Sequence, residues 1–325
     1  MKTKTYFIYQ GPHYVHAEWA KAVGSVFIHF RIHKWLTQVK GSRVITRPFF
    51  LLLKKPKLVI AEGGNPLIEA ALIKINRGCP IIYLATDITP YKMIKEKNLL
   101  LKDLTEFSDF VIANSKMMID DLLQTCHLKK YFIVYPFVRD EFFKYKFLNN
   151  KDDRKAVFLG ALWKFKGVHL LPKIAEKVKK KIKGFKIVVI GKPYEVSLKE
   201  TETIKPLGFT SKETLIQEIS SAKVYLHPAI YEPFGVSIAE AIMLGTVPVV
   251  SNKTGIKEFL PKELIADSLN EFIEKTIWVL ELNKEEYYNL IIKIREELEP
   301  KVKKEVSINT FKKVIGTLNF QQKFM

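Results

Sequence analysis

Tyr225–Phe259, YLHPAIYEPFGVSIAEAIMLGTVPVVSNKTGIKEF, reads as strand, loop, short helix, strand and loop. The apolar run Val224–Leu226 and the β-branched run Val247–Val250 supply the strand signals, bounded by Gly245 and Gly255. Between them Ile238, Ala241, Ile242 and Gly245 mark a short helix with a glycine stop. A parallel α/β sheet carries its ligand sites in the loops after the carboxyl ends of its strands. Here that place holds Glu232, Phe234, Gly235 and an expected helix start at Ser237. The N–H groups and partial positive charge of a helix start suit an anion. One carboxylate, Glu232, falls in the loop and the other, Glu240, in the expected first helical turn. Such a pair can hydrogen-bond two different polyols, for example a sugar and a ribose.

The same alternation recurs on both sides. In the N-terminal half, strands are predicted over 6–9, 26–30, 57–61, 80–84, 110–113 and 131–134, with helical segments between them. Asn114 or Ser115 is placed to cap the helix that follows. Residues 137–155 lose any clean period and include Asn149, Asn150, Lys151, Asp152 and Asp153, a linker by composition. A second alternation follows, with strands over 156–159, 185–190 and 205–209, a loop over 160–167 and a helix over 168–182. The predicted fold class is α/β, with two Rossmann-like domains facing a central cleft. The expected division is an N-terminal domain over 1–140, a linker over 141–155 and a C-terminal domain over 156–300. A last helix over 301–325 is expected to pack back toward the first domain.

At 325 residues, with 47% hydrophobic and 27% charged residues, the chain can bury two cores and is not a disordered sequence. Cys79 and Cys126 sit in unrelated contexts, which gives neither a disulfide framework nor a zinc spacing. The opening MKTKTYFIYQGPH has too short an apolar core for a signal peptide, and no apolar run nears the ~20 residues that span a bilayer. A cytoplasmic protein is expected, with peripheral association on the inner face of the membrane left open.

The net charge of +19 has three competing explanations. A nucleic-acid partner is not expected, since no reading motif accompanies the charge. An anionic lipid surface would draw lysine and arginine mixed with aromatics. A lysine-rich proteome would raise the charge without any function. The stretch Arg31–Lys57 carries the same ambiguity in miniature. Its apolar run Phe49–Leu53 reads as a helix covering the sheet, or as an interfacial patch seated on anionic lipid.

The quoted stretch also carries a family resemblance. Glu232-Pro-Phe-Gly-Val-Ser-Ile-Ala-Glu240, followed by Ala-Ile-Met-Leu-Gly-Thr-Val-Pro-Val-Val, resembles the E-x7-E donor signature of the retaining, GT-B glycosyltransferases of group 1 (family 4). The likeness is carried by specific motifs over about 156–260 and is topological only in the first half. It implies a metal-independent enzyme without a cofactor that moves a sugar from a nucleotide diphosphate sugar to an unidentified acceptor. Front-face attack assisted by the leaving phosphate is the implied chemistry.

The resemblance also implies roles. Lys166 matches the phosphate-binding lysine of a loop that here reads Gly160-Ala161-Leu-Trp-Lys164-Phe-Lys166-Gly167. The family arginine is replaced by Ala161, so Lys164 either supplies a second cation or is a solvated surface lysine. Glu240 corresponds to the ribose ligand, although Ser237-Ile-Ala-Glu240 also reads as a capping box. Glu232 corresponds to the ligand of the transferred sugar, with the amides of Phe234, Gly235 and Val236 near sugar and phosphates. Phe209 and Thr210 match the segment that holds the base edge, and Gly191 ends a strand on the same side. No histidine follows the fourth strand, where Tyr83-Leu-Ala-Thr-Asp87 stands instead. Asp87 is the replacement candidate, for acceptor hydroxyls or developing positive charge, and otherwise a helix cap. Gly11 and His13 stand where the family's first glycine-rich loop would meet the acceptor; His13 and His16 are otherwise surface or core histidines.

A glycosidase is disfavoured, because a hydrolase has no use for Lys166 beside the carboxylate pair. No G-x-S-x-G elbow, HExxH or Walker A loop occurs. Two alternatives stay open, a sugar-nucleotide epimerase of the same fold and a non-catalytic nucleotide-sugar-binding subunit.

Overall fold

A computed structural model describes residues 4–145, 147 and 151–321. The chain divides into two compact units, one running up to Pro136 and resuming from Glu305, the other Phe137–Lys304.

The first unit begins with β1 (Thr5–Tyr9), α1 (Tyr14–Ala22) and β2 (Val26–His29), then a 3-10 turn at Lys34–Gln38 and α2 (Ser42–Leu52). It continues through β3 (Leu58–Glu62), α3 (Leu67–Arg77), β4 (Ile81–Ala85), α4 (Thr89–Glu96) and α5 (Leu99–Phe107). β5 (Phe110–Ala113), α6 (Lys116–Leu123) and β6 (Tyr131–Ile133) close it. The strands pair in parallel in the order β2-β1-β3-β4-β5-β6. β3 and β4 are buried almost throughout, as expected of parallel strands covered on both faces. Ser115 caps α6 by accepting from the Met118 amide at 3.3 Å.

The second unit comprises β7 (Asp152–Leu159), α7 (Leu171–Lys179), β8 (Lys186–Ile190), β9 (Ile204–Gly208) and α8 (Lys212–Ser221). Then come β10 (Ala222–His227), α9 (Val236–Met243), β11 (Val247–Ser251), the short β12 (Ile265–Ala266), α10 (Leu269–Glu281) and α11 (Lys284–Leu298). Its parallel order is β12-β11-β10-β7-β8-β9. β10 and β7 lie at the centre, so the loops leaving them open beside one another. The last helix, α12 (Lys304–Gln321), meets α1. Trp19 stacks on Phe311 with ring centroids 5.3 Å apart and donates through Nε1 to Ser307 Oγ at 2.9 Å.

Three local expectations change. β7 starts at Asp152, inside the stretch read as linker, because the charged residues Asp152, Asp153 and Arg154 form the exposed start of a strand. Residues 146 and 148–150 of that stretch, and 322–325 of the C-terminal helix, lie outside the described residues. The apolar run of α2 does not cover the sheet: Phe50 is buried, but Phe49, Leu51 and Leu52 are exposed. Finally, α9 starts at Val236, with Gly235 as its N-cap, rather than at Ser237.

Candidate functional site

The second unit's site grows from the exit of β10. The strand ends at His227, and the loop behind it runs to Gly235, whose φ of 99° allows the chain to turn directly into α9. Glu232 is held midway: its amide donates to Lys253 O and its carbonyl accepts from Gly255 N, both at 2.9 Å. The main chain at Glu232 is therefore pinned on both sides, and its side chain is buried rather than an exposed loop group.

Two side chains converge on one oxygen of that carboxyl. Lys166 Nζ donates to Glu232 Oε2 at 3.0 Å, and His227 Nε2 lies 3.1 Å from the same oxygen. With a carboxylate opposite, Nε2 is the protonated ring nitrogen. His227 is fully buried, its ring nearly parallel to those of Phe158 and Tyr225, and its Nδ1 meets no partner among the described residues. Burial holds its pKa below the usual imidazole value against the pull of Glu232, so the ring is neutral. Burial by itself would raise the Glu232 carboxyl, but Lys166 and His227 outweigh it and hold the pKa down to about 2. Nothing among the described residues bonds Oε1, which leaves one carboxylate oxygen for a ligand hydroxyl.

Lys166 reaches this point because its loop lies against the β10 exit. Phe165 O accepts from the amides of Ile230 and Tyr231 at 2.7 and 3.2 Å. The approach is so close at Gly167 (φ 72°) that a Cβ there would sit 1.8 Å from Pro228 O. Lys164 is not drawn in: its side chain is exposed and its amide donates to Glu195 Oε2 at 2.9 Å.

Glu240 lies in the second turn of α9, not the first, and the capping box is absent. Ser237 sits inside the helix and pairs with the Tyr225 hydroxyl at 2.9 Å; that hydroxyl also donates to Leu159 O at 2.9 Å. Tyr225 thereby pins α9 to β7. Glu240 is buried, and its nearest cation is Arg139, with Nη2 at 3.6 Å. Burial outweighs Arg139 and pushes the carboxyl up to about 7.

At the neighbouring strand ends, Gly160 N donates to Ile190 O at 2.9 Å and Gly191 N to Gly208 O at 2.8 Å, placing Gly160, Gly191 and Phe209–Thr210 along one edge. Phe209 is exposed beneath the Lys192 ammonium, and the Thr210 hydroxyl is buried without a partner among the described residues. Phe234 is buried, edge-on to Phe259, and Val236 opens α9. Thus Glu232, Lys166, Phe234, Gly235, Val236 and Glu240 belong to one sheet end, with Gly160, Gly191, Phe209 and Thr210 beside them.

The first unit gathers a different set. Asp87 accepts from Thr89 N at 3.0 Å, Thr89 Oγ1 at 2.9 Å and Gly64 N at 3.4 Å, which ties the β4 exit to the β3 exit. Burial raises its pKa, with neighbouring Glu62 adding to the rise against these hydrogen bonds. His16 Nδ1 lies 3.0 Å from Glu62 Oε1, and Asn65 Nδ2 donates to Gln10 Oε1 at 2.7 Å. His13 caps α1 through Nδ1, at 3.5 Å from Val15 N, beside Gly11 in the same loop.

His227, Arg139, Tyr225, Glu62 and the pairing of His16 escape a reading of motifs. His227 had a usable signal, a histidine at a strand end five residues before Glu232. Arg139, about a hundred residues from Glu240, had none. Among the described residues no three His, Cys, Asp or Glu side chains are grouped to hold a metal ion, and no helix is long and apolar enough to cross a membrane.

The family model for glycosyl transferases group 1 matches residues 139–301, half of the chain, and so takes in the whole of this second site. The chain belongs to that family. An uncharacterized glycosyltransferase of Methanocaldococcus jannaschii is 31% identical over 127 residues, covering 35% of this chain and 31% of that relative. Less than a third of that relative's length is therefore matched. Among solved structures, Anabaena HepE in complex with UDP-glucose superposes with a TM-score of 0.78 at 14% identity, over 97% of this chain and 99% of that one. Sucrose-phosphate synthase from Thermosynechococcus elongatus gives 0.76 at 13% identity, over 98% and 99%. At these identities the likeness speaks for the fold, the α/β plan of GT-B glycosyltransferases.

Proposed function

We propose that this family member is a retaining, metal-independent glycosyltransferase using a nucleotide diphosphate sugar. The observation that carries the reading is the convergence of Lys166 and His227 on Oε2 of Glu232, with Oε1 left over, beside the start of α9. A fixed carboxylate oxygen accepts sugar hydroxyls, and a lysine 3 Å away can answer charge developing on a leaving diphosphate. Glu240 takes the ribose hydroxyls, and the amides of Phe234, Gly235 and Val236 the sugar and phosphates. The base edge lies along Phe209–Thr210 and Gly191, with Gly160 toward the diphosphate. The named ligand of HepE, UDP-glucose, supports a nucleotide-sugar donor here.

The acceptor, on this reading, is held by the first unit's strand exits. Asp87, Gly11 and His13 line that end, and Asp87, whose pKa burial raises above the ordinary carboxylate value, accepts from an acceptor hydroxyl and can donate to one when protonated. Reaction on the cytoplasmic side, in glycan biosynthesis, fits these parts. Ala161, where the family has arginine, favours a second reading in which the chain binds donor but does not turn it over.

A thermal-shift panel of nucleotide sugars, followed by release of nucleoside diphosphate with candidate acceptors, separates the two. Transfer lost in Glu232→Ala and Lys166→Ala, unaffected by EDTA, and giving a product with the donor's anomeric configuration supports the first. Donor binding with no diphosphate release for any acceptor supports the second.

A further inference from the structure

α2 is amphipathic in an inverted sense. Its inward positions, spaced by four, are Ser42, Thr46 and Phe50. Its outward positions are Val44 (70% exposed), Ile45 (69%), Phe49 (53%) and Leu52 (73%). A soluble helix places its apolar stripe inward; here much of that stripe faces water, and Trp35 and Val39 just before it are exposed as well. The helix's own arginines are otherwise engaged. Arg43 donates to both oxygens of the fully buried Glu69, at 2.8 and 3.0 Å, and Arg47 lies 3.6 Å away. Exposed lysines flank the helix: Lys40 before it, and Lys54, Lys55 and Lys57 after it.

The second observation is charge. Between Glu18 and Glu62 the sequence has nine lysines and arginines and not one aspartate or glutamate. An exposed apolar helix edge bracketed by lysines in an acid-free segment is what an anionic interface selects. A second copy of this chain is a poor occupant, since a two-fold contact would set lysines against lysines.

We propose that α2 seats the first unit on an anionic lipid bilayer, with Ile45, Phe49 and Leu52 entering the interface and Lys40, Lys54, Lys55 and Lys57 meeting headgroups. The apolar edge supplies depth and the lysines supply lipid selectivity and salt sensitivity. The proposal stands apart from the transfer reading, because none of these residues belongs to either strand-exit site.

The test is flotation of the full chain with vesicles of about one third phosphatidylglycerol in phosphatidylcholine, against phosphatidylcholine alone. The expected result is at least about tenfold stronger binding to the anionic vesicles, falling away near 0.5 M salt, where screening is about 4 Å. Ile45→Ser/Phe49→Ser/Leu52→Ser should lower binding at least about tenfold. Lys54→Glu/Lys55→Glu, which leaves the apolar edge intact, should abolish the preference for anionic lipid. Both variants should keep the wild-type melting curve and nucleotide-sugar shift. Equal binding to both vesicle types, undiminished flotation of the serine variant, or a lipid-free dimer that the serine variant abolishes would overturn the proposal.

Discussion

The two sets of strand exits solve the problem of a buried carboxyl differently. In the second unit each carboxyl faces a cation: Glu232 has Lys166, and Glu240 has Arg139. In the first unit Asp87 is held by a threonine and a glycine amide, and the charged group that perturbs it is another carboxyl, Glu62. A site built with its own cations suits an anionic ligand whose charge grows during reaction. One built from a carboxyl and neutral donors suits a hydroxyl partner. The same parallel-sheet geometry therefore carries two chemistries, set by which side chains the exits bring.

The contrast breaks most directly at Lys166. Lys166→Met should reduce transfer about a thousandfold and, by leaving Glu232 without its cation, cost about 3 kcal/mol of stability. Steady-state kinetics and chemical unfolding of the same variant measure both. A variant that melts like wild type would show that the pair is not held as tightly as the 3.0 Å contact indicates. Gly167→Ala tests the loop that delivers the lysine. Its positive φ and the collision with Pro228 O should cost about 2–4 kcal/mol, read as a lowered melting temperature.

The two glutamates of the signature should also respond to pH in opposite senses. Glu232, with its folded pKa depressed to about 2, contributes stability that is present above the ordinary carboxylate range and is lost as pH falls toward 2. Glu240, raised to about 7, is easily accommodated while protonated and becomes a growing cost as pH climbs toward 7. Glu240→Gln should therefore gain up to about 3 kcal/mol over wild type at pH 8 and little at pH 4 in urea titrations. If ionised Glu240 is the ribose acceptor, donor affinity should rise through pH 7 in wild type and stay flat in the variant. The smallest effect is expected in the first unit. Asp87→Asn should lower stability by about 1 kcal/mol and turnover more strongly, with donor affinity unchanged within about twofold. A large change in donor affinity would end the division of labour.

Most of the second site was legible because its parts lie in two contiguous pieces, 160–167 and 225–259, where strand ends, glycines and carboxylates follow one another at fixed spacing. Local sequence also reported the cap after the fifth strand of the first unit, where Ser115 of the pair Asn114/Ser115 takes the role, since a cap bonds within three residues of itself. The same local logic misread Ser237 and Glu240. A capping box and a strand-tethered serine look alike until Tyr225 is seen to claim the hydroxyl. The first unit's set was harder to read, because Gln10, His16, Glu62, Asn65 and Asp87 come from three strand exits and the helix α1 and share no spacing.

The sequence by itself determined the two α/β alternations, the donor signature and the excess of positive charge, because periodicity, glycine placement and composition are properties of neighbours along the chain. Tertiary structure alone decided that Lys166 and His227 share one oxygen of Glu232, that Arg139 faces Glu240, and that α2 turns its apolar edge outward. Each of these depends on distant segments packing together and on which face of a helix the sheet happens to cover. The E-x7-E stretch thus located the site, and the packing of β7, β10 and α9 set its charge.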